Sequence, residues 1–218
     1  MRADPVRIIM NEADIGEGLA ALARLDPALG PIIAAAGPVP LRRAAGGWAG
    51  LAQVIIGQQV SVASAQAIWR RVTERFPELD AQAVCSASEV EMRACGLSGP
   101  KIRALRAAAL AALAGRLDLE AAIGAPDQDV RAMLTAVSGI GPWTADIYLI
   151  IHLGRPDVFA PGDLALQEAA RIGLALPARP DARAIAALAE RWSPWRAVAA
   201  RLLWAYYARL RQREGVAR

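Results

Sequence analysis

Apolar residues recur at three- and four-residue intervals along most of the chain, and runs that alternate apolar with polar are missing. Three-and-four spacing draws one apolar stripe down a helix, whereas strands need a period of two. The stretch "WAGLAQVIIGQQVSVASAQAIWRRVTERF" (48–76) predicts two helices joined near Gly57-Gln58-Gln59. Pro and Gly divide the remainder into helices of ordinary length. They are expected at 15–25, in a short piece after "DPALG", at 89–95, after Pro100, and at 127–136, 142–153, 163–175, 181–191 and 194–213. The expected fold class is all-α.

Composition narrows this further. The mean hydropathy of +0.27 comes largely from alanine, a helix former, and no uncharged apolar run reaches the roughly 18–20 residues of a spanning helix. The opening "MRADPVRIIMNEAD" carries acidic residues and no long apolar run before a small-residue cleavage site, so no signal peptide is expected. The expected location is the cytoplasm, at the nucleoid, with no membrane partner. Cys85, Cys95 and the lone His152 are too few for a zinc or iron–sulfur site, so no metal and no cofactor is expected. Both cysteines are read as buried or half-buried thiols, and His152 as a packed or helix-surface residue. Net charge is +4, carried almost wholly by arginine, since Lys101 is the only lysine. Arginine suits bidentate phosphate contacts, and a compositional bias toward Ala and Arg explains the count equally well. The cluster Arg201, Arg209, Arg211 and Arg213 reads as a solvated helix end.

The strongest local signal is "SGIGPWTA" (138–145). Gly139 and Gly141 reach backbone angles closed to other residues, and Pro142 suits a first helical position where its missing N–H costs nothing. With "VRAMLTAV" before it, the unit reads as helix–hairpin–helix. Uncovered amides at such a helix start form a phosphate site. Further on, Pro161-Gly162 ends a loop and Asp163 caps the helix "LALQEAARIGL". On local sequence alone Asp163 is as readily a plain N-cap as a functional carboxylate, and the two are compatible because a helix start favours the ionised form.

These pieces, in this order, resemble the helix–hairpin–helix DNA glycosylases with a Gly/Pro-rich loop and a following aspartate, most closely the 3-methyladenine DNA glycosylase II family. The resemblance runs through "LARLDPAL", "IIGQQVSVASAQAI", "GLSGPKIRAL", the hairpin, "DVFAPGDLALQEA" and "WSPWRAVAARLLW", and so covers most of the chain. It implies a two-lobed fold, with residues 48–155 in one lobe, 1–47 and 156–218 in the other, and a base pocket between them. It also implies base excision: hydrolysis of the N-glycosidic bond of an alkylated purine flipped out of duplex DNA by a monomeric enzyme.

Residue by residue, the resemblance makes Asp163, twenty positions beyond Trp143, the catalytic carboxylate. Trp143 and Trp204 become pocket aromatics, though either is also an ordinary core tryptophan. Ile147 stands where a relative has an aromatic, which loosens the expected preference for cationic bases. Gly139, Ile140, Gly141 and Thr144 are expected at the DNA backbone, and Gln58 and Gln59 in the loop that enters the duplex. Relatives that also cut the strand carry a lysine at the position of Trp143. Its absence implies a monofunctional enzyme, with Lys101 lying far from the motif. Neither the four-cysteine cluster loop nor the N-terminal β domain of some relatives is expected. Two other readings stay open: a glycosylase for deaminated, etheno or oxidised bases, and a non-catalytic DNA-binding module. Base-release assays separate all three.

Overall fold

The structure is a computed structural model that describes residues 7–216, with side chains to residue 212. The sequence reading of the N-terminus rests partly on residues 1–6, which lie outside the described residues. Among the described residues twelve α-helices follow one another: α1 Glu12–Leu25, α2 Gly30–Ala36, α3 Gly47–Gly57, α4 Val62–Arg75, α5 Ala81–Ser86, α6 Glu89–Ala94, α7 Gly99–Leu113, α8 Asp127–Thr135, α9 Pro142–Ile147, α10 Leu164–Gly173, α11 Ala182–Ala189 and α12 Arg196–Val216. Short 3₁₀ turns and one π-helix, Tyr148–Leu153, make up the rest of the helical structure. Among the described residues there is no strand, and no helix is long and apolar enough to cross a membrane. The all-α expectation holds.

Helix starts follow local chemistry. Asn11 and Asp14 form a capping box at α1, as Ser88 and Glu91 do at α6. Asp80, Asp181 and Ser61 each accept a backbone N–H at the starts of α5, α11 and α4. Each such cap replaces a hydrogen bond the first turn cannot make internally, contributing about 1 kcal/mol.

The chain divides into two compact units. One combines Met1–Arg43 with Gly154–Arg218, and the other is Ala44–Leu153. In the first unit, α12 is the central element: Ala197, Val198, Ala199, Ala200, Leu202 and Leu203 are all fully buried. Gly18 on α1 permits close approach, since a Cβ there would stand 2.7 Å from Val198. A buried polar hub braces this core, with Asp26 accepting from the Trp192 indole at 2.9 Å and pairing with Arg191 at 3.1 Å.

Arg201 corrects the sequence reading. It is wholly buried on α12, not part of a solvated end, and donates to the Leu41 carbonyl at 2.8 Å and the Ala197 carbonyl at 3.0 Å. Burial, reinforced by the neighbouring Arg43 and Arg42, pulls its pKa down to about 10. Arg209 and Arg211 are exposed as expected, while the Arg213 side chain lies outside those described.

The second unit packs α3 and α7 with the hairpin helices around Leu51, Ile55, Ala108, Leu134 and Leu149. The helix expected over 142–153 changes character halfway, from α9 to the π-helix. On that wider turn the Tyr148 hydroxyl accepts from Gly47 N–H at 3.0 Å, and His152 Nδ1 lies 2.6 Å from the Ala45 carbonyl. Gly50 makes room for this, because a Cβ there would meet His152 Nδ1 at 2.6 Å. His152 is therefore a packed residue. Cys95 is buried and Cys85 half-buried, both free thiols.

Candidate active site

Asp163 is held from several directions within its own unit. Gln167, buried on α10, donates to the Pro161 carbonyl at 2.8 Å and pins the loop leading in. Asp163 N–H donates to the Ala160 carbonyl at 3.0 Å, which tightens that turn. Its Oδ1 accepts from the N–H groups of Ala165 and Leu166, at 3.0 and 3.1 Å, as an N-cap should. The same oxygen accepts from the Trp204 indole at 3.3 Å. The carboxylate is half-buried at the positive end of α10, with its lone pairs directed by fixed donors. The carboxylate that the sequence singles out is thus the N-cap of α10.

Trp204 is half-buried on α12 and touches the site by its indole edge as well as offering a ring face. Above that ring, the Arg42 guanidinium lies 5.9 Å from the centroid. Burial lowers the Arg42 pKa, while the charge of Asp163 works in the opposite direction. Arg42 adopts φ +45°, a left-handed backbone that non-glycine residues seldom take. Sequence reasoning missed it, although "PLRR" after a proline-rich connection marks a constrained turn.

The hairpin belongs to the second unit. Between α8 and α9, Val137 N–H donates to Leu134 and Ile140 N–H to Val137, at 3.1 and 3.0 Å, which coils the turn tightly. The two glycines differ in their demands. Gly139 has φ +87°, and a Cβ there would stand 2.6 Å from Ala104 Cβ on α7. Gly141 is extended, caps α9, and would point a Cβ into open space. Trp143 and Ile147, both half-buried, lie one turn apart on α9.

Two hairpin residues sit differently from the expected surface contacts. Ile140 is buried, with its N–H already used within the turn. Thr144 is 2% exposed, and its Oγ1 accepts from Gln58 Nε2 at 2.9 Å. Gln58 Nε2 also donates to the Gly139 carbonyl at 3.0 Å, so this side chain braces the hairpin from the α3–α4 turn. Gln59 is exposed, with φ +54°, beside the exposed Val60 and Val62. Lys101, the lone lysine, is buried with Nζ 2.6 Å from the Ile56 carbonyl, where it caps the C-terminal end of α3; burial lowers its pKa.

One further ionisable group ties the hairpin helices together. Asp146 on α9 is 4% exposed and takes Arg131 Nε and Nη2 from α8, each at 2.8 Å. Burial raises its pKa to about 6, and Arg131 only partly opposes this. Its folded pKa lies above the unfolded value, so the folded state binds the extra proton between about pH 4 and 6. Stability then falls as pH rises through that window and levels above it. A shift of about two units corresponds to roughly 3 kcal/mol. Asp146→Asn should flatten this part of the profile, as read by urea midpoints between pH 4 and 7. A variant with the wild-type slope would remove Asp146 as its source.

An all-helical fold with a glycine hairpin between α8 and α9 defines a helix–hairpin–helix protein. The chain belongs to the HhH-GPD superfamily of base excision DNA repair proteins, whose match covers residues 52–194. It is 36% identical over 130 residues to a DNA-3-methyladenine glycosylase of Saccharomyces cerevisiae, covering 53% of this chain and 43% of that one. It is 32% identical over 163 residues to DNA-3-methyladenine glycosylase 2 of Escherichia coli, covering 70% of this chain and 55% of the relative. The chain thus spans about half the length of these two relatives. Among solved structures, the 3-methyladenine DNA glycosylase Mag1 of Schizosaccharomyces pombe in complex with abasic DNA superposes with a TM-score of 0.80 at 26% identity. It covers 86% of this chain and 95% of that one.

Proposed function

We propose that this protein is a monofunctional DNA glycosylase, acting as a monomer on duplex DNA and releasing alkylated purines such as 3-methyladenine and 7-methylguanine. The observation that carries this reading is Asp163, an N-capping carboxylate tied to the Trp204 indole in a chain of the HhH-GPD superfamily. Its relatives bear the name DNA-3-methyladenine glycosylase, which supports the choice of substrate class.

In this reading, departure of the base leaves positive charge on the sugar, and Asp163 stabilises that oxocarbenium-like state as a fixed anion. Water adds to the sugar carbon. Trp204, beside Asp163, offers a ring face to a flipped base, and a cationic methylated purine is held well against an electron-rich ring. The open N-terminus of α9 at Gly141 takes a DNA phosphate. Gln59, exposed at the tip of the α3–α4 turn, enters the duplex, while Gln58 supports the hairpin behind it.

Release of methylated bases from alkylated duplex DNA, identified by chromatography, tests the reading directly. Trp143 stands where strand-cutting relatives carry their amine, and Lys101 Nζ is committed to the Ile56 carbonyl. Product DNA should therefore keep intact abasic sites until alkali is added, and borohydride should trap no covalent complex. Borohydride trapping abolished by Lys101→Ala would overturn the monofunctional reading. Efficient excision of 8-oxoguanine with 3-methyladenine ignored would overturn the substrate class.

A further inference from the structure

Arg42 is the one cation of the described site that the proposed hydrolysis leaves without a task. Its placement is built, not incidental. The Leu41 carbonyl next to it is held at 2.8 Å by Arg201, a guanidinium buried to 0% exposure. That anchor holds the turn in which Arg42 takes φ +45°, and left-handed non-glycine residues concentrate at functional sites. The side chain, partly desolvated yet still reached by solvent, then stands over the Trp204 ring at 5.9 Å, within the field of Asp163. Among the described residues it forms no ion pair within 4 Å.

A cation beside this carboxylate has opposite effects on two kinds of lesion. When an N3- or N7-methylated purine leaves, the electron pair of the broken C1′–N bond neutralises the charged ring. The base departs neutral, and the proton of the attacking water goes to solvent. When a neutral lesion leaves, the same electron pair makes the ring an anion, which then takes up that proton. A guanidinium near the departing ring stabilises the anionic leaving group and repels the cationic base before it leaves. It also competes for the Trp204 face on which a cationic base would stack.

We infer that Arg42 is a specificity-determining residue that shifts this site toward neutral lesions, purines that leave as anions, relative to cationic alkylpurines. This rests on the glycosylase reading above and deepens it.

The test compares single-turnover release of hypoxanthine and 1,N6-ethenoadenine with that of 7-methylguanine, each from a defined duplex, for wild type, Arg42→Gln and Arg42→Lys. Thermal melting checks the fold of each variant. Arg42→Gln should lower the ratio of neutral to cationic release at least ten-fold. Arg42→Lys, which keeps the charge but not the planar fork, should hold the ratio within about three-fold of wild type. An unchanged ratio in Arg42→Gln, including an equal loss on both substrates as a phosphate contact would give, overturns the assignment and leaves the glycosylase reading intact. A wild-type enzyme that releases 7-methylguanine but neither neutral base overturns it too. Failure of wild type to release any base overturns the glycosylase reading itself, and the role of Arg42 falls with it.

Discussion

On the proposed mechanism, Asp163→Asn should cut base release by about 100-fold or more while leaving folding and DNA affinity close to wild type. The asymmetry follows from geometry. An asparagine oxygen accepts from the Ala165 and Leu166 amides and from the Trp204 indole as the carboxylate oxygen does. Asn and Asp are comparable N-caps, so only the smaller interaction of a charge with the helix dipole is lost, roughly 0.3–1 kcal/mol. What would disappear is the fixed negative charge that the proposed mechanism sets against the developing oxocarbenium ion. Single-turnover release and thermal melting, measured together, check both halves. An asparagine enzyme with near wild-type turnover would reduce Asp163 to a structural cap. Asp163→Ala should lose the cap as well and melt earlier, which separates the two roles in one series.

The two hairpin glycines should part company under the same substitution. Gly139→Ala places a methyl carbon 2.6 Å from Ala104 Cβ at φ +87°. The left-handed backbone costs about 1–2 kcal/mol, and the crowding against α7 costs a further 1–3 kcal/mol. For a chain of this size that lowers Tm by roughly 5–15 °C. Gly141→Ala meets no neighbour and no forbidden angle, so its stability should stay within about 0.5 kcal/mol. The added methyl does stand beside the amides proposed to take a phosphate. DNA affinity should therefore fall several-fold, equally for damaged and undamaged duplexes, because phosphate contacts carry no base information. Titrations of both duplexes with both variants distinguish these outcomes. A loss confined to lesion-bearing DNA would move the hairpin from the backbone to the base.

Local physics made much of this protein legible without coordinates. Three-and-four spacing, glycine and proline punctuation, and N-capping preferences act over a few residues. The all-helical class, the hairpin at 138–145 and the capping position of Asp163 could therefore be read directly. The family order of motifs suggested the chemical role now proposed for that carboxylate.

What a side chain does once the helices pack was decided elsewhere. Arg201 belongs to an arginine-rich helix end in sequence, yet α12 runs through the core and its guanidinium is consumed by two carbonyls. Thr144 and Ile140 lie in a loop motif that suggests surface contacts. One turned inward because its hydroxyl meets Gln58, 86 residues away, and the other because it is apolar in a tight turn. Gly139 needs to be glycine partly because of Ala104, which no hairpin pattern contains. The indole on Asp163 comes from 41 residues downstream, and the cation above it from a turn before α3. Sequence determined which helices form and where they start, since those free energies are local. Tertiary structure alone decided which polar groups meet, because burial and hydrogen-bond partners depend on what the rest of the chain brings within 3 Å.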